Sequence, residues 1–304
     1  MHGWRVRRRE VLEPVLVTGA GGRLAMFVAG AFAGRRVDAL PRQRLDISDA
    51  RAVSAAVDGL RPALIVNCAA YSDVEGAEDD APRALDGNAF GVRNLARAAA
   101  RTGATLVHYS TDFVFDGESD HPYTEADSPS PQSVYAASKW LGEQFALQAP
   151  GAFVLRVESL FGCGPEWRGT RGSLDAMVDR MLAGQDVRAF SDRVVTPSYM
   201  ADVAAATRHL VDAGAAPGLY HCVNSGQATW EQVAREAARA LDARGGIIPI
   251  TLAEVTMRAR RPRYCALSND KLASAGFRMP AWQDALHRWL GPMAAAGTPG
   301  TARA

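Results

Sequence analysis

A short apolar run followed at once by a glycine-rich turn constrains the fold of this chain more than any other feature. The run is Val15–Thr18, and residues 19–22 follow it directly as Gly-Ala-Gly-Gly. Glycines let a backbone turn tightly and approach a pyrophosphate, and the free N–H groups of the next helix then face the anion. Glycine-rich turns are common, but Gly19 and Gly22 form a G-x-x-G core at the first strand–helix junction, with Ala25 at the usual third position. This placement favours a dinucleotide-binding turn.

Short apolar runs alternate with amphipathic stretches along the rest of the chain. We predict strands at 15–18, 37–40, 63–67, 105–110, 153–157 and 219–223, and helices at 24–32, 49–57, 82–102, 134–148, 199–211 and from Thr229 onward, where a capping box begins. Apolar strands separated by helices are typical of a parallel sheet covered on both faces. The predicted fold class is therefore α/β, with a doubly wound parallel (Rossmann) sheet and a smaller, interleaved C-terminal substrate lobe.

The same pattern divides the chain into regions. We predict a disordered N-terminal extension at 1–14, an NAD(P)-binding Rossmann domain at 15–160 completed by about 190–224, a lobe at 161–290 that is mainly substrate-binding, and a disordered tail at 291–304. The extension is basic but has no apolar run of the kind that makes a secretory signal. The tail is rich in small residues, proline and glycine, which favours disorder.

The composition of the chain limits the classes of molecule that it is expected to bind. The formal net charge is +1 and 48% of the residues are hydrophobic, which indicates a globular chain with no overall field for nucleic acid or an anionic membrane. No apolar run approaches the roughly 20 residues of a membrane-spanning helix. The cysteines Cys68, Cys163, Cys222 and Cys265 are far apart, and none belongs to a C-x-x-C pair. We therefore predict no metal site and free thiols in a reducing cytoplasm.

Tyr135 and Lys139 form the candidate catalytic pair. They are four residues apart, which places them on one helix face, one turn from each other. A phenol has a pKa of about 10, and a neighbouring ammonium favours the phenolate and lowers that value. Tyr135 is then suited to protonate the oxygen that becomes negative as a hydride arrives at its carbon. In isolation, such a pair is more often a solvated helix face.

A strand that ends in hydroxyl side chains supports the catalytic interpretation. The predicted strand at 105–110 delivers Ser110 and Thr111 to the carboxyl edge of the sheet, where ligands bind in folds of this class. A hydroxyl there can hydrogen-bond the same substrate oxygen that Tyr135 protonates. Together these residues predict a nicotinamide-dependent oxidoreductase that acts on a carbon bearing oxygen.

The residues after the second predicted strand bear on the choice of cofactor. An acidic residue at the end of that strand would hold a ribose 2′-hydroxyl, but here the strand is followed by Pro41-Arg-Gln-Arg44, and Asp38 lies within the strand. Arg42 is suited to a 2′-phosphate. NADP(H) is therefore favoured and NAD(H) remains possible; the alternative for Arg42 is a solvated surface arginine.

These segments resemble a known family, the extended short-chain dehydrogenase/reductases, over about residues 15–290. Within it the chain is most similar to the dTDP-4-dehydrorhamnose reductase group. The matching segments are Leu45-Asp-Ile-Ser-Asp49, Val66-Asn-Cys-Ala-Ala-Tyr71, Ala77-Glu78, Asn88, Tyr109-Ser-Thr-Asp-Phe-Val-Phe-Asp-Gly117, Tyr135-x-x-x-Lys139, Gly218-Leu-Tyr-His221 and Arg261-Pro262.

The resemblance implies a role for each group of residues. Tyr135 would be the general acid, Thr111 would bind the ketone oxygen, and Lys139 would hold the nicotinamide ribose and tune Tyr135. Cofactor contacts would also come from Gly19, Gly21, Gly22, Arg23, Leu24, Arg42, Asp46, Ile47, Cys68, Ala69, Ala70, Tyr71, Asn88 and Ser110. Substrate contacts would come from Thr111, Asp112, Phe113, Ser159 and Arg261. A homodimer is also implied.

The residue at position 113 bears on the choice between dehydration and reduction of the sugar. Related sugar-nucleotide 4,6-dehydratases carry an acid directly after the Thr-Asp pair, which removes a proton from the sugar, whereas this chain has Phe113. The resemblance therefore implies an NAD(P)H-dependent reductase of a 4-keto nucleotide sugar. Two alternatives remain at this point: a non-catalytic NADP-binding regulatory subunit, and a nucleotide-sugar epimerase that retains NAD.

The chain departs from the reductase group in two segments. Where the group tends to read Arg-Thr-Ser-Trp-Val-Tyr-Gly, this chain reads Arg156-Val-Glu-Ser-Leu-Phe-Gly162, so that Ser159 replaces a substrate-facing Trp and Glu158 brings a carboxylate near the cleft. The alternative for Glu158 is a satisfied structural acid. Later in the chain, Ala266 replaces an arginine that is suited to bind a diphosphate, and Arg168, Arg171 and Arg263 are the candidates to replace it. These departures leave the sugar open.

Overall fold

The computed structural model describes residues 13–164 and 166–297. The predicted N-terminal extension at 1–14 therefore lies outside the described residues, apart from Glu13 and Pro14, which have no regular secondary structure. Within the described part of the chain, no helix combines the length and the apolar character needed to cross a membrane.

Strands and helices alternate in the first part of the described chain, and short strands follow one another more often after β5. The strands are β1 (Val15–Thr18), β2 (Val37–Leu40), β3 (Leu64–Asn67), β4 (Thr105–Thr111), β5 (Phe153–Val157), β6 (Leu160–Phe161), β7 (Val187–Phe190), β8 (Val194–Val195), β9 (Ser198–Tyr199), β10 (Gly218–His221), β11 (Ala228–Thr229) and β12 (Ile247–Ile250). The helices are α1 (Arg23–Ala31), α2 (Ala50–Leu60), α3 (Val74–Asp79), α4 (Ala81–Leu85), α5 (Gly91–Thr102), α6 (Val134–Ala146), α7 (Ser173–Leu182), α8 (Met200–Asp212), α9 (Trp230–Leu241), α10 (Asp270–Ser274) and α11 (Trp282–Gly297).

Six strands make one parallel sheet in the order β10-β5-β4-β3-β1-β2. Every residue of the central strands β1 and β3 is buried. Since successive side chains point to opposite sides of a sheet, both faces of this sheet are covered. Leu16 packs into the core that contains Leu95 of α5, whereas Val15 and Val17 pack into the core that contains Val203 of α8. The predicted doubly wound parallel sheet is confirmed.

The strand order reverses between β1 and β3. The chain runs from β1 outward to β2 and then returns across the sheet to β3, so β1 and β3 are neighbours whose connections leave in opposite directions. A crevice opens at such a switch point, beyond the carboxyl ends of the strands, and ligands of doubly wound folds bind there. Here those ends lead into residues 19–22 and 68–71.

The helix predicted at 82–102 is confirmed, but its interior is not a regular α-helix. The structure has α4, then a π-helical turn at Asp86–Phe90, then α5. Against this turn lies Gly142 of α6, where an added Cβ would sit 2.1 Å from the backbone oxygen of Asn88. The extra backbone residue of the π turn and the missing side chain of Gly142 together let the two helices approach closely.

A buried ion pair fixes α6 to the sheet. The guanidinium of Arg156 on β5 donates two hydrogen bonds of 2.8 Å to the carboxylate of Glu143 on α6, and both side chains are at most 2% exposed. The guanidinium also lies 4.8 Å from the centre of the Phe115 ring. This bidentate ion pair holds α6, the helix that carries Tyr135 and Lys139, in one position on the sheet.

The second lobe surrounds a core of its own. Three two-stranded sheets, β7 with β12, β8 with β11, and β6 with β9, pack with α7, α9 and α11. The predicted capping box at the start of α9 is confirmed, since Thr229 and Gln232 exchange hydrogen bonds of 2.8 and 3.2 Å.

The disordered tail predicted at 291–304 is wrong for residues 291–297, which continue α11. Trp289 and Leu290 are buried in the core of the second lobe, and Met293 packs against the same core. This packing carries the helix past Pro292, although a proline inside a helix removes one backbone hydrogen bond. Residues 298–304 lie outside the described residues.

Candidate active site

A cleft with a volume of about 790 Å³ opens at the switch point of the sheet. That volume is within the usual range of cofactor and ligand sites. Of the predicted cofactor residues, these line it: Gly19, Gly21, Gly22, Arg23, Leu24, Arg42, Asp46, Ile47, Cys68, Ala69, Ala70, Tyr71, Ser110, Tyr135 and Lys139.

The glycine turn has the features of a phosphate cradle. Gly19 has a φ of +66°, and a Cβ added to it would lie 2.5 Å from the backbone nitrogen of Ala69. Gly22 donates a backbone hydrogen bond of 2.8 Å to Gly19 and precedes α1, whose first turn has no side-chain cap. The uncapped N–H groups and the positive end of the helix dipole suit an anionic group such as a pyrophosphate.

Asn88 does not line the cleft, contrary to its predicted role as a cofactor contact. It is fully buried, and its amide exchanges hydrogen bonds of 2.8 and 3.0 Å with the backbone of Tyr71. It also donates to the Ser138 hydroxyl at 3.0 Å. The π turn points the amide inward, so Asn88 fixes the lining segment and α6 from behind.

Sequence reasoning missed Asn67, which does line the cleft. Its Oδ1 accepts hydrogen bonds from the Thr18 hydroxyl at 2.6 Å and from the backbone N–H of Ala69 at 3.1 Å. Its amide nitrogen lies 3.0 Å from Nδ1 of His108. Asn67 therefore ties together the ends of β1, β3 and β4. The signal in the sequence was a polar amide at the end of an otherwise apolar strand.

Arg23 connects the glycine turn to the second lobe. Its guanidinium donates a 2.6 Å hydrogen bond to Asp175 and another of 3.1 Å to the backbone oxygen of Leu160. Asp175 also accepts from the backbone N–H groups of Gly162 and Gly172. The charge of Arg23 is thus partly compensated within the protein, which the sequence did not indicate.

The two residues weighed for cofactor choice occupy different places. Arg42 lines the cleft, is 64% exposed and pairs with Asp46 at 3.0 Å. Asp38 is not among the lining residues, and it pairs with Arg36 at 3.1 Å. Arg42, rather than Asp38, therefore lines the cleft.

Helix α6 presents Tyr135 and Lys139 to the cleft. Ser133 caps the helix by accepting a hydrogen bond from the backbone of Ala136, so Tyr135 lies in the first turn. The Nζ of Lys139 donates to the backbone oxygen of Tyr109 at 2.5 Å. Burial lowers the pKa of Lys139 to about 8.

The pKa of Tyr135 differs from the expectation. Burial raises it to about 12 and the Asp112 carboxylate acts in the same direction, whereas the Thr111 hydroxyl and the Arg261 guanidinium lower it. Lys139 is not among these influences, contrary to the predicted lowering of the Tyr135 pKa by that side chain. The physical reason is that the cost of removing the phenolate from water exceeds the combined lowering of the pKa by Thr111 and Arg261.

None of the predicted substrate residues is among those that line the cofactor cleft, and four of them, Thr111, Asp112, Phe113 and Arg261, gather beside it around Tyr135. The Phe113 ring meets the Tyr135 ring edge to face, with centroids 5.9 Å apart. The guanidinium groups of Arg193 and Arg261 lie 5.3 and 5.5 Å from the centre of the Phe113 ring. Thr111 donates a 2.9 Å hydrogen bond to Asp112 and accepts one from the backbone of Phe113.

The segment that departs from the reductase group has unusual local structure. Ser159 has a φ of +46°, which is uncommon for a residue other than glycine. Glu158 is buried, and one of its oxygens accepts a 2.7 Å hydrogen bond from the backbone of Thr196 and another from the Thr196 hydroxyl. Its other oxygen has no hydrogen-bond partner among the described residues. Within the described residues, only one of the two carboxylate oxygens of Glu158 is therefore hydrogen-bonded, which fits a structural acid only in part.

The sheet, the glycine turn and the Tyr–Lys pair on one helix face define an extended short-chain dehydrogenase/reductase. Residues 13–295 match the family described as "RmlD substrate binding domain", and the chain belongs to that family.

Three similar proteins illustrate this membership. The chain is 32% identical to the spore coat polysaccharide biosynthesis protein SpsK of Bacillus subtilis, over 92% of this chain and 97% of the relative. It is 36% identical to dTDP-4-dehydrorhamnose reductase of Mycobacterium tuberculosis, over 90% and 91%. The crystal structure of dTDP-4-dehydrorhamnose reductase from Bacillus anthracis in complex with NADP superimposes with a TM-score of 0.87 at 30% identity, covering 92% of this chain and 99% of the other.

Proposed function

We propose that this protein is an NADP(H)-dependent reductase of a 4-keto nucleotide sugar. The observation that carries the proposal is the position of Tyr135, which lines the cofactor cleft and at the same time contacts Phe113 at the adjoining substrate position. Relatives that cover nearly the whole chain carry the name of such a reductase, and a structural neighbour at 30% identity was determined with NADP.

The residues present suit the cofactor. The Gly19 cradle and the uncapped start of α1 would hold the pyrophosphate, and Arg42 would hold a 2′-phosphate. Lys139, buried at the floor of the cleft, would hold the nicotinamide ribose. When bound, NADPH supplies the hydride that reduces the ketone carbon.

The proton that the ketone oxygen receives during reduction comes from Tyr135. With its pKa raised to about 12, Tyr135 is fully protonated at neutral pH, which is the form a general acid requires. Tyr135 gives its proton to the ketone oxygen as negative charge develops there. Phe113 has no group that can remove a proton from the sugar, so the arrangement favours reduction over dehydration.

The test is direct. The purified protein, incubated with NADPH and dTDP-4-dehydrorhamnose, is expected to consume NADPH and to yield a nucleotide sugar with a hydroxyl in place of the 4-keto group, as measured by absorbance and mass spectrometry. UDP- and GDP-linked 4-keto sugars tried in parallel would define the nucleotide. If NADPH is not consumed with any of these compounds, the proposal is wrong.

Arg42 is expected to select the phosphorylated cofactor. Arg42→Ala should raise the Kd for NADPH about tenfold or more, because a hydrogen bond between charged groups is lost, and should leave the Kd for NADH nearly unchanged. Isothermal titration with both cofactors measures this. Arg36→Ala is a matched control, since Arg36 is similarly exposed but pairs with Asp38 outside the cleft. Equal weakening of NADH and NADPH would contradict the role.

We further propose that the chain forms a homodimer through the outer face of α6. Trp140 is 36% exposed and Leu147 is 41% exposed, and they lie two helical turns apart on the same face. Analytical ultracentrifugation should give twice the mass of one chain. Leu147→Glu should give a monomer, because it would bury a charge in the contact. A monomeric wild-type protein would overturn this proposal.

A further inference from the structure

The loop at 256–263 joins the second lobe to the first half of the chain through charged side chains. The loop contains no helix or strand. One of its arginines, Arg261, also lies at the proposed substrate position, with its guanidinium 5.5 Å from the centre of the Phe113 ring. Three arginines of the loop pair with acids from the first half of the chain, in the pairs Arg258–Asp79, Arg260–Glu118 and Arg261–Glu75.

Glu75 holds both the backbone of this loop and the side chain of Arg261. One carboxylate oxygen, Oε1, accepts a 2.8 Å hydrogen bond from Nη2 of Arg261. The other, Oε2, accepts from the backbone N–H of Arg258 at 2.8 Å and from that of Ala259 at 3.4 Å. Because both oxygens bind the same loop, one carboxylate sets the position of the guanidinium as well as that of the backbone.

The Arg261 guanidinium has a further donor that Glu75 does not use. Its Nη1 is buried and has no hydrogen-bond partner among the described residues, which is costly unless a ligand pairs with it. Burial raises the pKa of Tyr135, and the charge of Arg261 acts in the opposite direction, so the guanidinium lies close to the phenol. Nη1 is therefore a donor next to the reacting part of the substrate.

The backbone at Arg261 is restricted as well. The next residue is Pro262, and a residue before proline is confined to extended conformations. Pro262 packs on Gly117 so closely that a Cβ added to Gly117 would lie 2.5 Å from the Cβ of Pro262. Such restriction lowers the entropy that Arg261 loses when it binds a ligand.

The short helix α3 relates Glu75 to the proton donor. Glu78, one turn after Glu75 on this helix, accepts a 2.8 Å hydrogen bond from the backbone N–H of Val134 at the start of α6. Tyr135 is the next residue of α6. A single helix therefore contacts both the segment that carries the phenol and the guanidinium beside it.

We propose that Glu75 is a positioning residue, which holds Arg261 so that its Nη1 donates a hydrogen bond to an oxygen of the substrate's sugar. The sugar is the expected acceptor, rather than the diphosphate, because Arg261 lies beside Tyr135, which acts on the ketone of the sugar. The positioning stands on the contacts alone, whereas its effect on catalysis rests on the proposed reductase function.

Glu75→Gln should weaken the binding of the sugar without slowing the chemical step. An amide has a single acceptor oxygen, so it cannot replace both oxygens of the carboxylate. We expect KM for dTDP-4-dehydrorhamnose to rise about tenfold, the cost of one charge-assisted hydrogen bond, with kcat and the Kd for NADPH nearly unchanged. The Kd for dTDP, which lacks the keto-sugar, should also stay the same. An unchanged KM, or equal weakening of dTDP, would overturn the proposal.

Asp79→Asn is the matched control. Asp79 lies on the same helix and pairs with Arg258 of the same loop. The Glu75 and Asp79 side chains are 30% and 58% exposed, so neither substitution should prevent folding. Asp79→Asn should keep the wild-type KM and kcat. A rise in KM equal to that of Glu75→Gln would show that any loosening of the loop has this effect, and would contradict a specific role of Glu75.

Arg261→Met tests whether Glu75 acts through Arg261. If it does, Glu75→Gln should have no further effect on KM in the Arg261→Met background, because the side chain that Glu75 positions is already absent. Additive effects would contradict the proposal. The same cycle can be measured as the Kd for the keto-sugar nucleotide in the presence of NADP⁺, which has no hydride to give. A wild-type protein that binds this compound but does not reduce it with NADPH would contradict only the proposed function.

Hydrogen exchange tests the positioning without any substrate. The backbone N–H groups of Arg258 and Ala259 donate to Glu75, so they should exchange faster in Glu75→Gln than in the wild-type protein. In Asp79→Asn they should exchange at the wild-type rate. Equal exchange in all three proteins would overturn the positioning role, whatever the substrate is.

Discussion

Tyr135→Phe is expected to lower kcat/KM for keto-sugar reduction by about 10²–10⁴-fold, the usual contribution of a positioned general acid. The variant removes one hydroxyl group and keeps the ring that packs against Phe113. NADPH binding and the melting temperature should therefore change little, and the loss should appear in kcat. Stopped-flow measurement of NADPH oxidation under single-turnover conditions separates the chemical step from product release.

A matched control is available in the same chain. Tyr220→Phe removes a hydroxyl that donates to the backbone of Ala216, away from the cleft, and it should leave kcat/KM near the wild-type value. If Tyr135→Phe retained full activity, the assignment of Tyr135 as the acid would be wrong. If it lost NADPH binding instead, Tyr135 would serve the cofactor rather than the proton transfer.

Glu143→Ala is expected to destabilise the fold by about 3–5 kcal/mol, because it leaves the charge of Arg156 buried without its partner. The Arg156 side chain is only 2% exposed, so its charge has little access to solvent. Urea unfolding followed by circular dichroism measures the free energy. Since Glu143 and Arg156 join α6 to β5, we also expect activity to be lost at a lower temperature than in the wild-type protein.

A surface ion pair provides the comparison for this variant. Arg235 pairs with Glu231 one turn away on α9, with an Arg235 side chain that is 56% exposed. Arg235→Ala should cost only about 0.3–0.5 kcal/mol, because exposed pairs are screened by solvent. Equal effects of Glu143→Ala and Arg235→Ala would show that burial of the Glu143–Arg156 pair has no special energetic weight.

The glycine turn and the catalytic pair were predictable from sequence because each depends on local spacing. Gly19 needs its positive φ wherever a strand turns sharply into a helix, and Tyr135 and Lys139 share a face on any helix. Placement of the strands followed from apolar runs of the right length. These parts of the prediction required no knowledge of what packs against them.

The features of the fold and of the site that the sequence did not predict depend on contacts between segments that are distant in the chain. The π turn that points Asn88 inward packs against Gly142 of α6, which is distant from it in the sequence. The raised pKa of Tyr135 comes from burial, which the residue spacing does not report. The pairing of Arg23 with Asp175 joins residues 152 positions apart. Sequence periodicity carries no information about such partners.

Gly142 has a consequence for how this chain can vary. A single methyl group at this position would collide with the backbone oxygen of Asn88, and a backbone atom cannot rotate aside as a side chain can. A substitution at position 142 would therefore force the backbone of α6 or of the π turn to shift, although Gly142 does not line the cleft. Gly142 therefore sets how closely the helix that carries Tyr135 can approach the π turn, and any larger residue there would displace that helix.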